Sequence, residues 1–349
     1  MAEKFGGMRV KNLTYFAGMF FACVCALAMP ACDSNKEPVE AQQEYISFSS
    51  EAVAPESRAI ILDDASLQAA CSSGDGIGVW GVVNNDNNDN QILINNSKLT
   101  YDGQWSYTPV RRWIRGALHD FWAIYPHSES DLVLDPEAGT LTRNNITLGT
   151  TTPANNVDYM CAYNSRDLAS PDATTAPVPL AMKHALSMVE FRFINAMGEI
   201  SGVTDISLEG LRHKGAIVFG KDGSLGGAVD GAVDIRVDVA ADKVAAGLGL
   251  FNGLCTASPM PKNLSLVYNL YENVGGVIVM PQSLLGEGVK INMTIGATPT
   301  TLDLGLFSPT EWEAGKKYVY TFTLTSTTIV CDVRVVDWVK NDVDLVPIE

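Results

Sequence analysis

Gly76-Ile77-Gly78-Val79-Trp80-Gly81 is a literal G-x-G-x-x-G. In a dinucleotide site that spacing wraps a backbone turn around a pyrophosphate at the start of a helix. Here the glycines alternate with Ile, Val and Trp in a stretch that reads as strand. The residues that follow, Asn84-Asn85-Asp86-Asn87-Asn88-Asp89-Asn90, are turn formers that cannot open a long apolar-faced helix. No nucleotide cofactor is expected. The Asn/Asp run is dense in the hard oxygens that calcium prefers, yet no Glu closes it at the EF-hand spacing, so it reads as a solvated hairpin loop. His119, His127, His184 and His213 contain no i, i+4 pair, and no metal site is expected. His119-Asp120 with Ser128 supplies the residue types of a hydrolase, but no G-x-S-x-G elbow is present and neighbours in a strand point to opposite faces. Trp105, Trp113, Trp122 and Tyr125 could stack against a sugar, although large aromatics at strand spacing belong more often to a core. These residues do not describe an enzyme.

The elements that hold them read as β-structure from Tyr45 onward, because short alternating runs of Val, Ile, Thr and aromatics recur between clusters of Gly, Asn, Asp and Pro. Expected strands are 45–49, 77–83, 98–101, 105–107, 119–125 and 159–163, with one short helix over 63–70. A second set covers 187–195, 205–211, 215–219, 264–271, 276–280, 289–295, 317–325 and 329–338. Between the two sets, 167–179 carries Pro171, Pro177 and Pro179 among small residues and reads as a linker or long loop. The expectation is an all-β chain of two domains, 45–180 and 181–349, each with enough strands for a sandwich. The clearest alternation runs from Tyr318 to Thr325, with one face aromatic and aliphatic and the other mostly Thr.

The N-terminus reads as an address. Lys4, Arg9 and Lys11 precede an apolar run over 13–29, then Met29-Pro30-Ala31-Cys32 and an immediately polar Asp33-Ser34-Asn35-Lys36-Glu37. That order is a signal peptide over 1–31 with Cys32 as a bacterial lipid-attachment point, followed by a tether over 32–44 that has almost nothing to bury. No second run of that kind occurs. The leader carries three positive charges against Glu3, so the chain without it moves from a formal charge of −16 to −18. Such acidity disfavours nucleic acid as a partner. Of the seven cysteines, Cys23 and Cys25 leave with the leader and Cys32 takes lipid. Cys71, Cys161, Cys255 and Cys331 lie far apart without metal spacing. They read as small buried hydrophobes, with two disulfides as the alternative.

Several local patterns, in order along the chain, resemble the fimbrillin family of Bacteroidales in its Mfa-like branch. They are Tyr45-Ile46-Ser47-Phe48, Ser57-Arg58-Ala59, Gly74-Asp75-Gly76 and Leu99-Thr100-Tyr101-Asp102-Gly103-Gln104-Trp105. They continue with Asp120-Phe121-Trp122-Ala123-Ile124-Tyr125-Pro126, Val157-Asp158-Tyr159-Met160 and Lys183-His184-Ala185. The last are Val279-Met280-Pro281-Gln282, Trp312-Glu313-Ala314-Gly315 and Val336-Asp337-Trp338. The resemblance implies two transthyretin-like β-sandwich domains in a stalk, tip or anchor subunit of a type V pilus. Such a subunit reaches the outer membrane and cell surface as a palmitoylated lipoprotein, becomes part of the fimbrium, and contacts other pilus subunits by donor-strand exchange. Host or bacterial surface ligands are further implied partners.

Carried onto this sequence, protease cleavage falls between Arg58 and Ala59 and removes Cys32 together with the strand Tyr45, Ile46, Ser47 and Phe48. Losing that strand would leave unpaired backbone groups beside apolar side chains, a template for another strand. A donor segment is less clear, since Val343, Leu345 and Ile348 do not keep one alternation and Pro347 lacks an amide hydrogen. The rival expectation is a surface glycan- or ligand-binding lipoprotein that does not polymerise.

Overall fold

The computed structural model describes residues 45–52, 64–84, 90–149, 156–195, 203–221, 225, 233–243, 248–251, 277–325 and 327–338. Cys32, Arg58, Ala59, Cys255, the leader, the tether, the Asn/Asp loop at 85–89 and the expected strand at 264–271 lie outside the described residues.

Nearly every described element is a strand, as the alternation predicts. The chain begins with β1 (Phe48–Ala52) and the helix α1 (Asp64–Ser72). It continues through β2 (Ile77–Asn84), β3 (Asn90–Tyr101), β4 (Trp105–Ser106), β5 (Leu118–Tyr125), β6 (Leu132–Asp135), β7 (Thr140–Thr147), β8 (Met160–Asp167) and β9 (Val178–His184). Next are β10 (Ser187–Asn195), β11 (Val203–Glu209), β12 (Lys214–Gly220), β13 (Asp234–Val239), β14 (Leu248–Phe251), β15 (Val277–Val279) and β16 (Gln282–Ser283). The last are β17 (Lys290–Ile295), β18 (Thr298–Asp303), β19 (Glu311–Trp312), β20 (Lys316–Leu324) and β21 (Ile329–Asp337).

Two differences from expectation bear on function. The stretch expected as a linker at 167–179 ends in a strand: β9 starts at Val178 and alternates buried Val178, Leu180, Met182 and His184 with half-buried neighbours. Pro179 is tolerated inside it because its nitrogen faces away from β1 and the pairing with β8 reaches only Lys183 and His184, so the missing N–H costs no ladder bond; its carbonyl accepts from Asn164 Nδ2 at 3.0 Å. The first strand is also shifted. Continuous pairing covers Phe48–Ala52, while Tyr45 makes an isolated bridge to Arg112.

β1 lies at the end of a seven-stranded sheet of order β1-β9-β8-β5-β2-β3-β4. One face of this sheet is covered by α1, through Leu67 and Cys71, and by loop residues Tyr107, Trp113 and Leu168. The other face, with Trp80, Trp122, Ile124 and Cys161, shares a core with Leu141, Ile146, Ile217 and Phe219 of the sheet β13-β12-β7-β6. Thus β12, from beyond 181, pairs with β7 from the earlier half, and β13 adds to the sheet on the other side of β12. A separate core joins the sheets β15-β10-β20-β21 and β14-β11-β17-β18 through Phe191, Phe193, Tyr320 and Phe322 facing Ile206, Leu208, Ile291 and Met293.

The glycines of the G-x-G-x-x-G pattern lie in and beside β2, where neighbours crowd all three; a Cβ at Gly76 would stand 2.6 Å from Lys98 Cε and 3.0 Å from the Leu99 carbonyl oxygen. A Cβ at Gly78 would stand 2.9 Å from Asn96 Oδ1, and one at Gly81 would stand 3.1 Å from the Phe121 ring. Among the described residues Cys71, Cys161 and Cys331 are free thiols. Burial pushes the Cys71 thiol up to about 12, so it remains protonated and unreactive.

Candidate functional site

The residues of the expected displaced strand form one gripped segment. Ile46 and Phe48 are 2% and 4% exposed and belong to the core under α1, whereas Tyr45 is 43% exposed. Burial alternates because successive side chains of an extended chain point to opposite faces. The Phe48 ring meets Tyr107 and Phe121 edge-on, with centroids at 5.5 and 5.6 Å. Such edge-to-face pairs contribute about 0.5–1.5 kcal/mol each beyond burial.

The segment is held along both backbone edges. On one edge it runs parallel to β9, with Phe48 opposite Val178 and Ala52 opposite Met182, and Val178 N–H donates to the Ser47 carbonyl at 2.8 Å. On the other edge Ile46 N–H donates to the Arg111 carbonyl at 2.8 Å, and Tyr107 Oη donates to the Ile46 carbonyl at 3.1 Å. The same Tyr107 oxygen accepts from Arg111 N–H at 3.2 Å. Arg112 lies over the Tyr45 ring, 5.0 Å from its centroid, and its Nη2 donates to Tyr45 Oη at 3.0 Å. We call residues 107–112 the clasp.

His119 fixes the base of this clasp. It is fully buried, and its ring lies 5.1 Å from that of Trp113 and is stacked on Phe121 at 6.3 Å. Nε2 accepts from Ile114 N–H at 3.3 Å, and Nδ1 lies 3.2 Å from the Ala117 carbonyl. The neutral tautomer with its proton on Nδ1 satisfies both contacts. Burial lowers the His119 pKa, against the raising effect of the Ala117 carbonyl.

The hydrolase residues do not meet. Asp120 accepts from Tyr163 Oη at 2.5 Å, and Ser128 Oγ bonds the Ser130 carbonyl. Of the four aromatics that could have formed a sugar platform, Trp113, Trp122 and Tyr125 are buried and only Trp105 is partly open, so three of them serve as core. Among the described residues no cluster of three potential metal ligands occurs.

Several of the ordered sequence patterns instead meet in space. His184 Nδ1 lies 3.0 Å from Asp158 Oδ1, with both side chains at most 3% exposed, and the His184 ring stacks on Trp338 at 4.0 Å and 4°. Trp338 N–H donates to the Gly315 carbonyl, and Gly315 N–H to the Leu186 carbonyl, at 2.7 and 2.9 Å. Trp312 Nε1 donates to Tyr320 Oη at 3.0 Å. Tyr125 Oη donates to Asp75 at 2.8 Å, joining β5 to the turn after α1. These patterns are internal ties between remote segments.

Sequence reasoning missed the clasp. Tyr107, Arg111 and Arg112 lie in a loop without periodicity, and their contacts with residues 45 and 46 span more than sixty positions. The signal available was the exposed-type pair Arg111-Arg112 between two tryptophan-bearing patterns.

Comparisons with known proteins fit this architecture. A family profile described as fimbrillin-like matches residues 63–338. No match was found among curated proteins. A solved structure of a candidate cell adhesion protein from Bacteroides uniformis superposes with a TM-score of 0.50 at 17% identity, covering 84% of this chain and 99% of that one. Another candidate cell adhesion protein, from Bacteroides ovatus, superposes with a TM-score of 0.51 at 14% identity, covering 86% and 100%. At these identities the structures speak for a shared fold. The profile spans most of the sequence, and the chain belongs to the fimbrillin-like family.

Proposed function

We propose that this chain is a structural or adhesive subunit of a type V pilus, exported to the outer membrane as a lipoprotein acylated at Cys32. Cleavage between Arg58 and Ala59 then releases the segment containing Tyr45, Ile46, Ser47 and Phe48, and a strand of another subunit takes its place. In this reading the chain is organised as two sandwich domains divided near 180, with β12 and β13 crossing back to complete the first.

The observation that supports the reading is the placement of residues 45–52. They lie at the end of the seven-stranded sheet, yet Ile46 and Phe48 are core residues. Removing them would uncover the β9 backbone edge, the Arg111 carbonyl and the apolar surface around Tyr107 and Phe121 together. Buried backbone groups without partners are costly, about 1–3 kcal/mol each, so such a groove favours refilling by an extended strand. With the strand in place the precursor does not polymerise.

The reading predicts detergent-resistant ladders of polymer from cells expressing the wild-type chain, and their loss in Arg58→Ala with the monomer still folded. Ladders that persist undiminished in Arg58→Ala would rule out activation by this cut.

A further inference from the structure

The groove occupied by residues 45–48 has a direction and a residue pattern built into its walls. Resting on the strand-replacement reading, we propose that the replacing strand comes from another chain and runs parallel to β9. Of four consecutive residues it presents a hydroxyl-bearing aromatic at the first, an aliphatic at the second and an aromatic at the fourth.

Direction follows from the clasp. The Arg111 carbonyl can only accept, and the Tyr107 hydroxyl already accepts from Arg111 N–H, which leaves its own proton to donate. The wall therefore offers an acceptor and then a donor, matched by the N–H and C=O of one residue, as Ile46 does now. A strand reversed at this position would set its carbonyl against the Arg111 carbonyl and leave both unpaired. On the opposite edge Val178 N–H requires a carbonyl where Ser47 now supplies one.

The pattern follows from the side-chain seats. Arg112 stands over the first position, where it bonds a phenol oxygen and faces a ring at 5.0 Å. The second and fourth seats belong to the core, and the fourth has aromatic walls set edge-on by Tyr107 and Phe121. A Val or Leu there leaves part of the seat empty and forfeits its wall contacts. Residues 339–349 contain Val343, Leu345 and Ile348 but no aromatic, so that sequence lacks the pattern.

The test uses the full chain with a specific protease site placed within residues 53–58, cut so that the N-terminal piece is held without a covalent bond. Fluorescent peptides spanning residues 43–52 compete for the groove and are followed by anisotropy. The wild-type peptide exchanges in, while one carrying Phe48→Val competes at least about tenfold more weakly. Tyr45→Ala weakens competition about fivefold, and that difference disappears on the Arg112→Ala protein. A peptide of reversed sequence and the 339–349 peptide do not compete. Equal competition by all peptides would overturn the proposed pattern and direction while leaving strand replacement intact. Failure of every peptide, the wild type included, would overturn both.

Discussion

Phe48→Ala is the most informative single change in the segment. The ring is 4% exposed and makes edge contacts with Tyr107 and Phe121, so truncation removes its transfer free energy and both aromatic contacts and leaves a void between rings held by β5 and the clasp. Phe→Ala changes in cores cost about 3–5 kcal/mol, and the position at a sheet end places this one near the lower bound, about 3–4 kcal/mol. With an m-value of about 3 kcal/mol/M in urea, the midpoint falls by about 1 M. The loss should also appear locally, because Val178 N–H bonds the Ser47 carbonyl. Its hydrogen-exchange protection drops by about 10²–10³-fold if the segment opens as a unit. Ser49→Ala, at a half-buried position on the opposite face, should change stability by no more than about 0.5 kcal/mol. A loss below about 1 kcal/mol for Phe48→Ala, with unchanged protection at Val178, would refute the argument that this strand completes the core.

Three further outcomes follow. The lowered His119 pKa means that the fold holds a neutral imidazole; the stability it contributes is present above the unfolded value of about 6.5 and is lost as pH falls through the lower folded value. Urea midpoints should therefore fall between pH 7 and 5 more in the wild type than in His119→Gln, and equal slopes would count against a buried neutral histidine. Gly210→Ala should cost at least about 2 kcal/mol, since a Cβ there meets the Gly288 carbonyl at 2.3 Å with φ at +76°. Gly103→Ala, at φ +73° in open space, should cost only about 1 kcal/mol by thermal melting. Cys71 and Cys161 should not react with a thiol reagent in the native protein and should react after denaturation, because burial raises both thiol pKa values.

Much of the fold was readable where the physics is local. β10 matches its expected bounds, and β20 is shifted by one residue, because Phe191, Phe193, Tyr318, Tyr320 and Phe322 alternate with polar or smaller neighbours against one apolar core. β9 was hidden by its proline and by the small residues before it, although Val178, Leu180 and Met182 keep a strand's alternation. β12 was expected at 215–219, but β7 and its pairing with β12 were not. Asn144 and Asn145 sit within β7, and the pairing between the two strands carries a register shift near Gly215 and Ile217, so local pattern could not announce their partnership. The strand around Tyr45 to Phe48 was legible from its alternation, but the clasp was not. A loop that bonds a distant backbone through a carbonyl and one tyrosine hydroxyl leaves no periodic trace. The histidines show the same limit: His184 and His119 are equally unremarkable by spacing, and only tertiary contact assigns one to Asp158 and Trp338 and the other to the clasp.

The central claim is that the segment holding Tyr45, Ile46, Ser47 and Phe48 is absent from the assembled subunit, and the N-terminal residue of the protein in surface polymers tests it most directly. Sequencing of detergent-resistant polymer should return Ala59. An acylated Cys32 at the N-terminus of every polymerised subunit would contradict replacement of the first strand.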